Sequence, residues 1–172
     1  MNSRAAALSI SGAIFALDRV SKALVEAYVA RWDAFVVIPG IFNIIHTQNR
    51  GAAFGFLADA GGTWRTFLLV GVSSIVLLFV GALLWRATRR GAEESWLSRS
   101  ALAMILGGAV GNVYDRVTKG MVTDFLDFYA GSYHWHTFNV ADSAITIGAS
   151  LLLIEMWRQR NEGDRRCNRH VA

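Results

Sequence analysis

The chain is poor in the residues that most often staple folds or carry chemistry. It has one cysteine, one proline and four histidines among 172 residues. Cys167 stands alone in a polar tail, which leaves no internal disulfide and no cysteine cluster to hold a metal. No HExxH pattern is present for a zinc protease, and no histidine falls mid-span, where a nucleophilic serine would need one as its base. Charged residues make up only 17% of the composition, against about 25% in ordinary soluble domains. Neither an internal repeat nor a low-complexity tract is visible. The formal charge of +4 and pI near 9.7 would suit a nucleic-acid partner, but the arginines lie in short clusters beside apolar runs, where they act as orientation signals. Nucleic acid is therefore not an expected partner, and no cofactor or metal is expected.

What the chain has instead is apolar length. Hydrophobic residues reach 53% and the mean hydropathy is +0.35, which places the protein in a membrane as a single domain over residues 1–172. Four apolar spans, at about 5–28, 66–85, 97–114 and 137–157, meet the roughly 20 residues a bilayer crossing needs. The second has no charge between Arg65 and Arg86 and reads as lipid-facing scaffold. The first is a retained span rather than a cleaved leader, because it is long and carries Asp18, Arg19 and Lys22 without a convincing small-residue cleavage site. Arg86, Arg89, Arg90 and Arg99 in one connection, and Arg158, Arg160, Arg165, Arg166 and Arg169 in the basic tail 158–172, mark the cytoplasmic side. Both termini then lie inside, and residues 29–65 and 115–136 face out.

The outer segment 29–65 is too long for a plain turn. Ala34–Ile38 and Ile41–His46 are β-branched and aromatic runs split by Pro39 and Gly40, the pattern of a short hairpin or small sheet. Gly51, Gly55, Gly61 and Gly62 punctuate the rest of the segment, and Ala52–Ala58 is apolar enough to lie flat at the interface as a lid or cradle. Trp32, Trp64, Trp85, Trp96, Trp135 and Trp157 fall near span ends, as interfacial aromatic belts do.

Polar groups inside the spans share one depth. At about 1.5 Å per residue, Asp18 lies roughly 20 Å from the inner end of the first span and Asn112 roughly 22 Å from the start of the third. Asp115 sits near the exit of the third span. Asn139 and Asp142 lie roughly 3–8 Å below the outer entry of the fourth. Asp18, Ser21 and Lys22 recur at i, i+3, i+4, as do Asn112, Asp115 and Arg116, while Asn139, Asp142, Ser143 and Thr146 obey the same rule. Each span so presents one polar stripe, and Gly107, Gly108 and Gly111 let a neighbouring helix approach the third span closely.

Carboxylates at that depth are costly, about 2.5–3.5 kcal/mol at mid-bilayer on insertion scales, and so point to function. Asp124 stands among Val122, Phe125, Leu126 and Phe128, and the chain from it to Asp142 is long enough to turn back and bring the two together. Two aspartates sharing a proton can hydrolyse a peptide, one activating water and the other polarising the carbonyl. The bland alternative is that Asp124 pairs with Lys119 or Arg116 and that Asp142 caps the fourth span. His134 and His136 as metal ligands, or Ser21 with Lys22 as a nucleophile and base, are weaker options. A proton-coupled transporter using the buried aspartates, or a non-enzymatic assembly factor, remain rivals from other classes.

Five motifs in order carry a resemblance. Asp18–Lys22 (DRVSK), Asn49–Phe54 (NRGAAF), Gly107–Arg116 (GGAVGNVYDR), Val122–Phe128 (VTDFLDF) and Phe138–Ile145 (FNVADSAI) resemble those of the lipoprotein signal peptidases, or signal peptidase II, bacterial inner-membrane aspartic peptidases. The resemblance implies a membrane all-α fold of four transmembrane helices with a small extracytoplasmic β-cradle and an interfacial helix. It implies Asp124 and Asp142 as the catalytic pair. Asn49, Gly51, Asn112, Arg116 and Asn139 are implied as substrate-binding residues, Asn139 also orienting the pair, with Asp18, Lys22 and Asp115 in support. The implied substrate is a diacylglyceryl-modified prolipoprotein, cut before its lipidated cysteine by a monomer among membrane phospholipids, near the outer leaflet of the inner membrane.

Overall fold

The computed structural model describes residues 3–51, 64–92 and 94–171, and from 162 onward the backbone alone. Its elements in chain order are α1 (Ser3–Tyr28), β1 (Ala34–Ile38), β2 (Phe42–Asn49), α2 (Trp64–Ala87), α3 (Trp96–Lys119), β3 (Val122–Ala130), β4 (Tyr133–His134) and α4 (Val140–Val171). The helices match the four apolar spans in position. By length and composition α2 and the Val140–Asn161 part of α4 suffice to cross a membrane. The apolar segment Ala52–Ala58 lies outside the described residues.

Helix α3 is the hub, packed against α1, α2 and α4. It starts at Ser95, whose hydroxyl accepts from the Ser98 amide at 3.1 Å, and stops at Gly120, where φ of 71° suits a residue without Cβ. Small residues explain the close packing. A Cβ at Gly107 would fall 2.5 Å from the Ser11 carbonyl of α1, and one at Gly108 would fall 2.5 Å from the Ala141 carbonyl of α4. Backbones therefore meet without intervening side chains, the geometry that favours helix association in lipid. Ala7, Val80, Leu84, Leu102, Ala103 and Ile105 knit α1, α2 and α3 into the apolar core. The outward faces are apolar too: Phe67, Ile75, Leu78 and Phe79 on α2 are exposed, as lipid-facing residues would be.

The strands form one antiparallel sheet in the order β1-β2-β3-β4. The hairpin expected around Pro39 and Gly40 is present, with Gly40 at φ 81° in its turn. The stretch around Asp124, to which the sequence assigned no secondary structure, is the strand β3, which pairs with β2 in the register Thr47 opposite Asp124 and Asn49 opposite Val122. Helix α4 also departs from expectation by running on to Val171 rather than ending near Trp157.

Candidate active site

Asp124 is placed by two backbone partners of its strand. On one side, Thr47 donates its hydroxyl to the Asp124 carbonyl at 3.1 Å. On the other, the returning chain pairs Phe138 with Leu126, Phe125 and Leu126 donating to the Phe138 carbonyl at 3.0 and 2.8 Å. The residue after Phe138 begins the approach to α4, so the start of that helix is clamped beside β3. This pairing is what brings a strand residue and a helix residue together.

Asn139 and Asp142 cap α4 reciprocally. The Asn139 Oδ1 accepts from the Asp142 amide at 3.0 Å, and Asp142 Oδ2 accepts from the Asn139 amide at 3.3 Å, the arrangement of a capping box. The bland reading of Asp142 as a cap is thus correct for one of its oxygens. Its other oxygen, Oδ1, accepts from Asn112 Nδ2 at 2.8 Å. Asn139 Nδ2 donates to Asp124 Oδ1 at 2.7 Å and reaches Asn112 Oδ1 at 3.4 Å. A chain of two asparagine amides therefore links the two carboxylates, each amide donating to one of them.

Asp124, Asp142, Asn49, Asn112 and Arg116 line one cavity of about 680 Å³, walled by Val122, Phe138 and Ile145. Asp124 is only 3% exposed. Burial pushes its carboxyl up to about 7, and the charge of Asp142 adds to the rise, while hydrogen bonds from Asn49 and Asn139 and the charge of Lys22 pull the other way. Neither Lys119 nor Arg116 pairs with Asp124 among the described residues. Lys119 pairs with Glu26, and Arg116 donates to the Gly51 carbonyl at 3.2 Å.

Two of the expected substrate-binding residues stand elsewhere. Asn139 is fully buried and does not line the cavity, its amide being engaged by Asp124 and Asn112. Gly51 is outside the lining and meets the site through Arg116. Behind the cavity, Asp18, Lys22 and Asp115 form a fully buried ion cluster, with Lys22 Nζ 2.8 Å from a carboxylate oxygen of each aspartate. Asp18 Oδ1 also accepts from the Ala141 amide at 3.1 Å, pinning the first turn of α4 to α1. Arg19, which sequence reasoning gave no role, completes the cluster by pairing with Asp115. Its only signal was adjacency to Asp18.

The weaker options separate. His134 Nδ1 lies 2.9 Å from Asp127 Oδ1, while His136 lines the cavity, so the two rings serve different places. Ser21 donates to the Asp18 carbonyl at 3.1 Å and Lys22 turns into the ion cluster, so the two do not form a nucleophile and base. Among the described residues no three His, Cys, Asp or Glu side chains converge as metal ligands.

The chain is similar in sequence and in fold to known proteins. Residues 10–158 match the family model described as Signal peptidase (SPase) II. The lipoprotein signal peptidase of Solibacter usitatus (strain Ellin6076) is 50% identical over 156 residues, covering 91% of this chain and 93% of that one. The one from Sulfurihydrogenibium sp. (strain YO3AOP1) is 45% identical over 155 residues, covering 89% and 93%. Two solved structures, both described as bacterial membrane enzymes, are similar in fold. One has a TM-score of 0.76 at 28% identity over 92% of this chain and 91% of that one. The other has a TM-score of 0.74 at 30% identity over 88% and 92%.

Proposed function

The chain belongs to the signal peptidase II family, and from that premise we propose that it is an aspartic endopeptidase which removes signal peptides from lipidated prolipoproteins. The observation that carries the aspartic mechanism is the pair of carboxylates on one cavity, Asp124 and Asp142, each held by its own asparagine amide.

The two carboxylates differ in surroundings, and so in role. Both oxygens of Asp142 accept hydrogen bonds, and it sits in the first turn of a helix, where the backbone dipole favours an anion. It is the ionised partner and the base that takes a proton from water. Asp124, with its carboxyl pushed up to about 7, holds the shared proton at neutral pH and gives it to the scissile carbonyl oxygen. Water oxygen bonds to the carbonyl carbon, forming a tetrahedral diol. The C–N bond then breaks as Asp142 passes its proton to the leaving nitrogen and Asp124 recovers one from a diol hydroxyl. No electron leaves the system and no metal takes part.

Substrate and place belong to the same proposal. The leaving nitrogen is that of the diacylglyceryl-modified cysteine, and a lipid-anchored bond stays near headgroup level, where water still reaches the pair. Arg116 and Asn49, on the cavity wall, receive the backbone or headgroup of the substrate. All four helices cross the inner membrane as one peptidase domain of a monomer, with both termini cytoplasmic and the sheet outside, at the outer leaflet. The proton-coupled transporter has no observation in its favour.

The test is cleavage of a lipidated precursor peptide by the purified chain in phospholipid micelles with a metal chelator present. Turnover is expected to persist in chelator and to fall by at least about 10²-fold in Asp142→Asn. Turnover that vanishes in chelator and returns with added zinc would overturn the mechanism.

A further inference from the structure

Lys22 has no hydrogen bond to either carboxylate of the pair, yet one amide joins it to Asp142. Its side chain is wholly buried, with Nζ 2.8 Å from Asp18 Oδ2, 2.8 Å from Asp115 Oδ2 and 3.1 Å from Asn112 Oδ1. The ammonium donates to Asp18 and Asn112 and meets Asp115 as an ion pair. An amide whose oxygen faces that ammonium must turn its NH₂ the other way, and there Asn112 Nδ2 meets Asp142 Oδ1 at 2.8 Å. Rotated by half a turn, Asn112 would set oxygen against carboxylate and NH₂ against ammonium. Two attractions would become two repulsions.

The aspartates of the cluster do not depend on Lys22 alone. Asp18 has the Ala141 amide and Asp115 has Arg19. Asn112 Oδ1 has besides Lys22 only the longer contact from Asn139, at 3.4 Å. We propose that Lys22 is a positioning residue for the hydrolysis: through Asn112 it holds a hydrogen-bond donor on Asp142, and it keeps a fixed positive charge behind the pair. This rests on Asp124 and Asp142 being the catalytic pair.

The charges that face this arrangement come from every packed element. Helix α1 supplies Asp18, Arg19, Lys22 and Glu26, the last paired with Lys119, α3 supplies Asp115, Arg116 and Lys119, which lies 3.8 Å from Asp115, and the approach to α4 supplies His136 on the cavity wall. Helix α4 supplies Asp142 and β3 supplies Asp124. Lys22 is also among the groups that hold the Asp124 carboxyl down against its burial.

The experiment compares the full chain with Lys22→Met and with Asp18→Asn/Lys22→Met in phospholipid micelles, using a lipidated precursor peptide. The double variant removes one buried charge of each sign and keeps an oxygen for the Ala141 amide, so it is expected to fold even if the single variant is lost. In monodisperse protein, kcat is expected to fall by about 10-fold or more, with KM within about two-fold. In Lys22→Met the acidic limb of the kcat profile should move up by about half a pH unit or more, because a cation that favoured the ionised pair is gone, whereas in the double variant the loss of the Asp18 charge offsets it and the fall in kcat is the readout. In Lys22→Met a limb within about 0.2 unit of the unaltered chain overturns the proposal whether or not kcat falls, since a merely structural role lowers amplitude without moving the limb, and an unchanged kcat in the double variant overturns it as well. An Asp142→Asn control separates the two readings. Turnover in that control brings down the catalytic pair itself, whereas an inactive control beside an unmoved limb brings down only the role of Lys22.

Discussion

Replacing Asp124 by asparagine should make the protein more stable at neutral pH and less so by comparison in acid. The folded chain holds the Asp124 proton up to about 7, against an ordinary value of 3.8. The native state therefore gains its full advantage from this group below pH 3.8 and loses it as pH rises through about 7. At about 1.36 kcal/mol per unit the whole shift is worth about 4 kcal/mol, a ceiling, since the surrounding amides relax. Asparagine has nearly the same shape and can offer its oxygen to Asn139 Nδ2, but has no proton to lose. For a chain of this size a change of 1 kcal/mol moves Tm by about 2–4 °C. The difference in Tm between Asp124→Asn and the unaltered chain should thus open by several degrees between pH 4.5 and pH 8.5, roughly that window being set by the shift. Differential scanning fluorimetry in detergent micelles measures it, and groups common to both proteins cancel. A difference that stays flat across the window, or that shrinks with rising pH, refutes the assignment of a proton-holding buried carboxyl to Asp124.

Two further substitutions probe how the site is held. Gly108→Ala puts a Cβ 2.5 Å from the Ala141 carbonyl and should destabilise by about 1–3 kcal/mol, lowering Tm, while Gly71→Ala meets nothing within 4 Å and should be neutral or stabilise by about 0.5–1 kcal/mol. Equal Tm changes in the two would show that α3 and α4 do not pack as closely as described. Asn139→Ala removes both the cap of α4 and the donor on Asp124, so it should cost about 1–3 kcal/mol and most of the peptidase activity. Full activity with unchanged Tm would remove Asn139 from both roles.

Much of this arrangement was legible because bilayer physics leaves few choices. A polar residue in an apolar run must find a partner, and shared depth for Asp18, Asn112, Asp115, Asn139 and Asp142, with the helical stripe that adds Lys22 to Asp18, grouped residues that all join one network of contacts. The β1–β2 hairpin was legible from its β-branched runs and its Pro39-Gly40 turn. Strand β3 was not, because its partner β2 is distant in sequence and no local pattern fixes such a pairing. Asn139 was expected both to bind substrate and to orient the pair, and its hydrogen bond to Asp124 fits the second, since an asparagine beside a motif aspartate gives no hint whether its amide faces a cavity or a neighbouring side chain. Helix α4 outran its apolar span because helix propensity in the arginine-rich end does not depend on hydropathy.

Asp142 uses one oxygen to open a helix and turns the other side of the same carboxylate toward the cavity. Resistance to an inhibitor that grips this carboxylate cannot easily arise by mutation at position 142, because most replacements lose the fold's anchor along with the drug's. Asparagine is the exception that retains an oxygen for the cap, and it yields an inert, folded enzyme suited to trapping uncut substrate. Escape must then come from wall residues that cap no helix, such as Val122 on β3 or Trp135, His136 and Thr137 on the approach to α4.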